Sequence, residues 1–590
     1  MNDDPRNTDT CDVVVLGAGA GGMATAVTAA RHGLEAVIIE KSPYFGGTAA
    51  FSGGVLWIPG NAHGKQANPK DSRALARRYL QHEAGEYFDA AMVDAFLDKA
   101  PEMVEFFERE TQVAFVPTLY PDYHPDVEGG APVGRSILAA PYDIRALGGD
   151  MARLRPPLET ITFFGMMFNS SNADIAHFFK ATKSLTSAAY VTRRLIRHTL
   201  ELLRYRRGIN VTSGNALAAR LARSALDLGI PIHTDTRLLE LLRDDRGVHG
   251  VRVAGPHGER RILARKGVVL ATGGFSHDEE RRTAAYAHRR AGSEHFSPVP
   301  ADNAGDGARL AEQAGGHVDI RYAEPAAWMP VSKVPLGDGR YGAFPHLLDR
   351  YKPGIIGVNR QGRRYTNESN SYHDVGAAMV RQAAQGGEAA MWLICDHATI
   401  RKYGLGYAKP APMPLGGLLR KGYLHRGRTL EELAQRAGID PQGLSATVAR
   451  YNEHARKGED PEFGRGSTAF NRYLADPAHT PNPCVAPIER GPYYALKLVM
   501  GDLGTFDGIE TDVVGRVLDR AGSPVPGLFA AGNDRASMMG GNYPAAGITL
   551  GPILTFGYIT GRYLAGLEDG LAQAPARAPS AAEPALKESA

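Results

Sequence analysis

The chain has few cysteines, no excess of either charge and no unbroken apolar run, and each absence removes a class of protein. Cys11, Cys395 and Cys484 are the only three cysteines and lie far apart. An odd, scattered set builds no disulfide framework and offers no metal-ligand spacing. All three are expected to be buried, inert thiols in a reducing compartment. Lys and Arg number 67 against 64 Asp and Glu, for a net charge of +3, so no global basic field announces a nucleic-acid partner. Met1 to Thr10 carries both charge signs and lacks the basic start and apolar stretch of a secretory signal, which makes the cytoplasm the expected location. Two uncharged stretches, Val13 to Ala30 and Met538 to Gly561, have the length of spanning helices. The first is cut by a glycine cluster, and the second holds Pro544 and Pro552 among six glycines. That punctuation suits backbone wrapped around a ligand.

What is present is a large, ordinary core. At 590 residues and 43% hydrophobic, the chain can fill two or three structural units. Asp12 to Leu16 reads as a short buried strand, a glycine cluster follows at once, and Met23 to His32 has the Ala-rich composition of a tightly packed helix. Gly33 ends it, and Ala36 to Glu40 is a second buried strand, which completes a β-α-β unit of dinucleotide-binding type. Further strands are expected at Ile232 to Leu242, Gly250 to Val253 and Gly267 to Ala271, extending the same sheet. From about Glu324 to Glu489 the texture changes to aromatic-rich segments and polar helices such as Thr429 to Ala437. Leu528 to Ala531 and Gly551 to Leu564 then return the chain to the first unit.

The turn Gly17, Ala18, Gly19, Ala20, Gly21, Gly22 matches G-x-G-x-x-G directly after a strand and before a helix. Gly17 permits the tight turn, Gly19 lets a pyrophosphate approach the backbone, and Gly22 lets helix and strand pack closely, with phosphate at the helix N-terminus. Glu40 ends the next strand, placed to accept hydrogen bonds from ribose hydroxyls. Lys41, Gly46, Gly47, Thr48, Ser52, Gly53 and Gly54 follow, then Ala271, Thr272, Gly273 and Gly274 late in the unit, and Ala530, Ala531, Gly532 and Asn533 near its end. Such small residues let a bulky flavin ring lie against backbone, so FAD is favoured over a nicotinamide. Thr549 and Leu550 complete the expected cofactor contacts.

This combination resembles the fumarate reductase and succinate dehydrogenase superfamily of flavoproteins. In the succinate dehydrogenase branch a histidine near Gly47 bonds covalently to the flavin; Gly46, Gly47 and Thr48 stand here, so the resemblance implies non-covalent FAD. Only one dinucleotide turn is visible, which points to a quinone or another carrier as electron acceptor. Dicarboxylate enzymes of the superfamily carry a His and an Arg where this chain reads Ala536 to Gly551, which has neither. That stretch, with Tyr543, Pro544 and Gly547, is similar to the 3-oxosteroid 1-dehydrogenases, although Ala545 stands where that family more often has glycine. The similarity continues through Asn367-Glu368-Ser369, Gly501 to Thr505, and Thr555 to Tyr558.

The fold implied is α/β: a discontinuous Rossmann-like FAD-binding domain (1–323 and 490–567) with an inserted α+β substrate-capping domain (324–489) and a disordered tail (568–590). The resemblance also implies three catalytic tyrosines and one amide. Tyr123 follows Pro121-Asp122 upstream of Gly134-Arg135-Ser136, with Tyr120 the competing assignment; Tyr372 lies three residues past Ser369; Tyr543 and the Gly547 N–H complete the set. In such enzymes Tyr543 and Gly547 would polarise the ketone of a 3-oxo-steroid, and Tyr372 would take a proton from carbon 2, its pKa lowered by Tyr123. His124 and His373, beside two of these tyrosines, are not expected to act. Desaturation of carbons 4 and 5, reduction of a non-steroid enone, and a non-catalytic flavin-binding role on membranes stay open.

The segment 139–214 fits neither unit. Phe163, Phe164, Met166, Met167 and Phe168 form an apolar patch, and Ala176 to Arg207 carries eight Lys or Arg against one Glu. Leu195, Ile196, Leu200 and Leu203 fall near helical spacing, so the stretch reads either as peripheral contact with an anionic membrane or as a lid or subunit contact over the active-site mouth.

Overall fold

The computed structural model describes residues 8–168, 177–178, 184–567 and 570–571. Nearly all of the C-terminal tail 568–590 and parts of the 176–207 stretch lie outside them. The first layer is an eight-stranded sheet. Six of its strands run in the order Arg516–Leu518, Pro524–Ala530, Gly258–Leu270, Thr8–Leu16, Ala36–Ile39 and Ile232–His233, and the other two, Gly247–Gly255 and then Arg237–Asp244, add in turn, antiparallel, onto Gly258–Leu270. The pairings from Pro524–Ala530 through Ile232–His233 are parallel. Val13, Val14 and Val15 have no exposed surface, as expected of a parallel strand covered on both faces.

The helix after the first strand begins at Ala20, not Met23, and runs to Arg31. The turn glycines are therefore its own N-cap and first turn, which leaves unpaired N–H groups where the turn faces the cavity. Its small residues let the returning helix Leu550–Leu564 approach closely: a Cβ on Gly561 would stand 2.7 Å from the Thr28 Cβ, and one on Gly557 3.0 Å from the Ala24 Cβ.

Ile232 to Leu242 is not one strand. The parallel sheet keeps only Ile232–His233, and the chain turns through Asp235, in left-handed backbone at φ 52°, before Arg237–Asp244 opens an antiparallel hairpin with Gly247–Gly255. The Asp235 and Thr236 N–H groups, given to the carbonyls of Ser42 and Glu40, hold that turn.

A second, six-stranded sheet is antiparallel: Arg340–Pro345, Ala326–Gly337, Tyr493–Thr505, Ala390–Asp396 and Ile355–Val358, with His425–Gly427 added to Tyr493–Thr505. Its central strand thus comes from beyond residue 489. Thr429 caps the helix Leu430–Ala437, its hydroxyl accepting from the Glu432 N–H. Val55–Trp57, Ser136–Ala139 and Phe115–Pro117 form a three-stranded antiparallel sheet. Cys395 and Cys484 are buried as expected; Cys11 is only half-buried, because it lies in the outer part of the first strand.

From the insert, Leu185–Tyr205 is helical and exposes Leu185, Ile196, Leu200 and Leu203, the last at 78%. No helix among the described residues is long and apolar enough to cross a membrane.

Candidate active site

One cavity of about 1220 Å³ runs from the glycine turn to a group of tyrosines. It is larger than the usual pocket for a single small ligand. Gly17, Gly19, Glu40, Lys41, Gly47, Thr48, Ser52, Gly53, Ala271, Thr272, Gly273, Gly532, Asn533, Thr549 and Leu550 all line it, as do Tyr123, Tyr372, Tyr543 and Gly547. Ala18 and Gly22 do not. The Ala18 N–H is spent on the Glu40 carboxylate at 2.8 Å, and a Cβ on Gly22 would stand 2.1 Å from the Gly17 carbonyl oxygen.

The nucleotide end is shaped by backbone. Gly17, at φ 114°, lies so close to Ala271 that a Cβ would stand 2.1 Å from its carbonyl oxygen. Around Gly19, and around Gly532 across the cavity lining, nothing lies within 4 Å of the corresponding point, so these glycines are open to an approaching group. Glu40 accepts the N–H groups of Ala18 and Ser42 at 2.8 and 2.9 Å, and burial raises its pKa against those two bonds.

Three residues unforeseen in the sequence complete this end. Arg155 reaches Ser42 and Asp302 at 2.8 and 2.9 Å, while its Nε is buried without a partner. Asn303 donates to the Thr48 hydroxyl at 2.8 Å. Asp534 accepts the N–H groups of Thr272 and Gly274, tying that loop to the one carrying Gly532. Only Asp534 had a local signal, its place just after Gly532-Asn533. A glycine cradle, a buried carboxylate and an orphaned guanidinium N–H, all facing one cavity, fit a dinucleotide with its phosphates.

The other end is made of side chains. The Tyr123 and Tyr372 rings lie 5.8 Å apart, Tyr123 and Tyr543 5.8 Å, and Tyr372 and Tyr543 5.2 Å. Tyr120 instead packs on Tyr473 at 4.8 Å, so it is Tyr123 that joins the trio.

The motif around Tyr123 is a clamp. Asp122 accepts from Arg135 and the Trp57 indole, both at 2.8 Å, and from the Ala131 N–H at 2.9 Å. Burial pushes Asp122 up to about 6 against the pull of Arg135. Asp122 also bridges to Ala545, the Tyr123 N–H donates to the Pro544 carbonyl at 2.8 Å, and the Ser136 hydroxyl donates to the Ala546 carbonyl at 2.9 Å. Backbone pairing thereby sets Tyr123 beside Tyr543. Gly547, at φ 94°, sits against Leu56 and Trp57, and its N–H donates to no other group among the described residues.

Tyr372 is fixed from the second sheet. Fully buried Glu368 takes two hydrogen bonds from Arg364 at 2.7 and 2.8 Å, and Arg364 also pairs with Asp460. Burial would raise Glu368, but Arg364 overcomes it and holds the carboxylate below its ordinary range. Asn367 caps the Ser369 N–H, and Ser371 caps the helix Tyr372–Ala384, accepting from the Asp374 N–H at 3.1 Å. Tyr372 is therefore the first residue of a helix whose start is braced by a buried ion-pair network.

The expectation that Tyr123 lowers Tyr372 is not met. Burial, then the neighbouring Tyr123 and Tyr543 phenols, raise Tyr372 well above 10, and no cation among the described residues touches it to oppose them. Burial also raises Tyr123 and Tyr543. His124 is a bridge: burial would lower it, but hydrogen bonds to Asp374 at 3.1 Å and Glu83 at 2.8 Å raise it to about 10. His373 is pushed down to about 4 by burial and accepts the Trp328 N–H. Neither ring donates to or accepts from the three phenols among the described residues.

The parallel sheet, the glycine cradle and the cavity that joins it to the tyrosines are those of a dinucleotide-dependent oxidoreductase. Residues 12–550 match the family model of the FAD binding domain, and the chain belongs to that flavoprotein family. FAD is its cofactor. It is 44% identical to a 4-oxocyclohex-2-ene-1-carboxylate 5-dehydrogenase of Sinomonas cyclohexanicum, with 95% of each chain covered. It is 36% identical to a 3-oxosteroid 1-dehydrogenase of Mycolicibacterium smegmatis, over 93% of this chain and 96% of that one. The crystal structure of a 3-ketosteroid delta1-dehydrogenase from Sterolibacterium denitrificans, in complex with 1,4-androstadiene-3,17-dione, superposes with a TM-score of 0.85. That match is 34% identical and covers 95% of this chain and 100% of that one.

Proposed function

We propose that this protein is an FAD-dependent dehydrogenase that introduces a double bond beside the carbonyl of a cyclic ketone, and that 1,2-desaturation of a 3-oxo-steroid is its reaction. The observation carrying this reading is the trio Tyr123, Tyr372 and Tyr543 packed beside the uncommitted Gly547 N–H, in the cavity that also holds the glycine cradle. In this reading the first unit is a Rossmann-like FAD-binding domain, and the second sheet caps the substrate.

Gly17, Gly19, Glu40, Lys41, Gly47, Thr48, Ser52, Gly53, Ala271 to Gly273, Gly532, Asn533, Thr549 and Leu550 hold the cofactor, joined by Arg155. Ala18 and Gly22 shape the turn behind them. Bound FAD supplies the two-electron oxidant, later reoxidised by a quinone-like acceptor. The Tyr543 hydroxyl and the Gly547 N–H donate to the ketone oxygen and stabilise the enolate character that develops there. A donor in that role contributes about 3 to 4 kcal/mol. The proton leaving the carbon beside the carbonyl passes to the Tyr372 phenolate. Once Tyr372 has lost its own proton, the Tyr123 hydroxyl turns to donate to it. That hydrogen bond partly offsets the penalty of a buried anion.

A second reading takes a monocyclic ketone as substrate, an oxocyclohexene carboxylate in place of the steroid; the 44% identity to an enzyme named for such a compound favours it. Androst-4-ene-3,17-dione and 4-oxocyclohex-2-ene-1-carboxylate, each mixed with the holoenzyme and a dye acceptor, separate the two. Formation of the 1,4-diene supports the steroid reading; turnover of the monocycle alone replaces it with the second.

The helix Leu185–Tyr205 supports a role at the cavity mouth, since Val191 and Leu195 line the opening while Ile196, Leu200 and Leu203 face outward among arginines. A lid that also rests on an anionic membrane fits both features. Sedimentation with anionic liposomes should weaken when residues 176–207 are deleted, and equal binding would remove the membrane role.

A further inference from the structure

The cavity wall beyond the tyrosines holds two cations that no carboxylate answers directly. Lys352 donates to the backbone carbonyls of Leu474 and Ala475 at 2.7 and 2.9 Å. Lys409 lies over the rings of Phe344 and Tyr407, each at 5.4 Å. Both line the cavity, and neither forms an ion pair among the described residues. The carboxylates whose charge these lysines feel are committed elsewhere: Asp476 accepts from Lys402 and Tyr403 at 2.9 and 2.6 Å, and Asp349 accepts from His346 and the Gly406 N–H, both at 2.8 Å, and from the Arg350 N–H at 3.1 Å. Phe344, Leu347, Leu348, Tyr403 and Pro410 make the surroundings apolar.

The position is linked to the tyrosines through packed side chains. Phe470 packs on Tyr123 at 4.5 Å and on Tyr351 at 5.7 Å. The carbonyls that Lys352 holds lie just past the C-terminus of the short helix carrying Phe470, about one turn, or ~5 Å, further along. Lys352 therefore stands in the cavity wall behind the Phe470 ring that packs on Tyr123, and Lys409 lines the same cavity. Setting two cations in an apolar wall is unfavourable unless something compensates them.

We propose that Lys352 and Lys409 are specificity-determining residues that bind a carboxylate carried by the ketone substrate at the end remote from its carbonyl. This rests on the cyclic-ketone reading above and adds to it a preference for acidic ketones over neutral ones. The acid group has two sources, a single ring bearing a carboxylate or a 3-oxo-steroid with a side-chain carboxylate. Burial pushes both ammonium groups below their ordinary pKa, as expected of cations that a bound anion would restore.

The test uses the full-length holoenzyme with four probes: a cyclohexanone carboxylate and its methyl ester, and a 3-oxo-steroid side-chain carboxylate and its methyl ester. The wild type should prefer one acid over its ester, and the pair that shows the preference identifies the source. In Lys409→Met and Lys352→Met the acid-to-ester ratio of kcat/KM should fall about 10- to 100-fold, through KM, the range of one or two lost charge-assisted hydrogen bonds. Because Lys352 also braces Leu474 and Ala475, Lys352→Arg serves as its control and should keep the acid preference. A wild type without acid preference, or Lys→Met variants that shift acid and ester equally, overturns the proposal. Should no ketone turn over, the cyclic-ketone reading fails by itself. Flavin absorbance titrated with the same four probes then reads the lysines independently: acid binding lost in the Met variants supports them, and unchanged binding rejects them.

Discussion

The two ends of the cavity are built by different means. At the nucleotide end the backbone does most of the shaping: Gly17 and Gly22 are pressed against carbonyl oxygens, and Gly19 is open. At the tyrosine end the proposed chemistry rests on three large side chains from remote segments and on a single backbone group, the Gly547 N–H; the rest of the backbone aims them. Tyr123 hangs on the Asp122–Arg135 pair, Tyr372 on the Glu368–Arg364–Asp460 network, and Tyr543 on pairing with residues 122 and 123. A dinucleotide presents the same diphosphate to every member of a large class, so local backbone suffices to receive it. A ketone requires donors and a base on different faces, and these have to come from several elements.

The sharpest way to break this comparison is at the nucleotide end. Gly22→Ala places a methyl group 2.1 Å from the Gly17 carbonyl, and the purified protein should lose essentially all bound FAD, read from its absorbance, and with it all turnover. At the other end Tyr543→Phe should keep full flavin content while kcat falls about 10²- to 10³-fold, the effect of removing one oxyanion donor. If Tyr543→Phe also emptied the flavin site, the two ends would not be separable.

The pH profile sharpens the same contrast. Tyr372 is raised well above 10, so its base form is scarce at neutral pH, and kcat should climb about tenfold per pH unit toward pH 10 without a plateau. Flavin content should stay flat over that range. The smallest effect concerns aim alone. Ser136→Ala removes one hydrogen bond to the Ala546 carbonyl, and should lower stability to denaturant by about 0.5 to 1.5 kcal/mol with a several-fold loss of kcat.

The same division explains what could be read from the sequence. The cradle occupies residues 12–40 and is written in spacing, so turn, helix and second strand were legible, apart from a helix start three residues early, at Ala20. The tyrosines were legible only through the motifs around them, because the forces that gather them are ion pairs such as Asp122 with Arg135 and Glu368 with Arg364, whose partners sequence spacing does not announce. Arg155 was missed for that reason: it is a single residue in a segment without periodicity, and only tertiary folding brings it to Ser42 and Asp302. Tyr493–Thr505 reads like part of the returning nucleotide unit because it runs directly toward it, yet its pairing partners are Ala326–Gly337 and Ala390–Asp396.

The central claim is that the tyrosine end, and Tyr372 in particular, removes the proton beside a ring ketone. Anaerobic mixing of the holoenzyme with androst-4-ene-3,17-dione in a stopped-flow instrument, alongside Tyr372→Phe, tests it most directly. The account predicts rapid bleaching of the flavin by the wild type, with 1,4-diene formed in equal amount, and bleaching about 10²- to 10⁴-fold slower in the variant. Bleaching at the same rate in both proteins would contradict it.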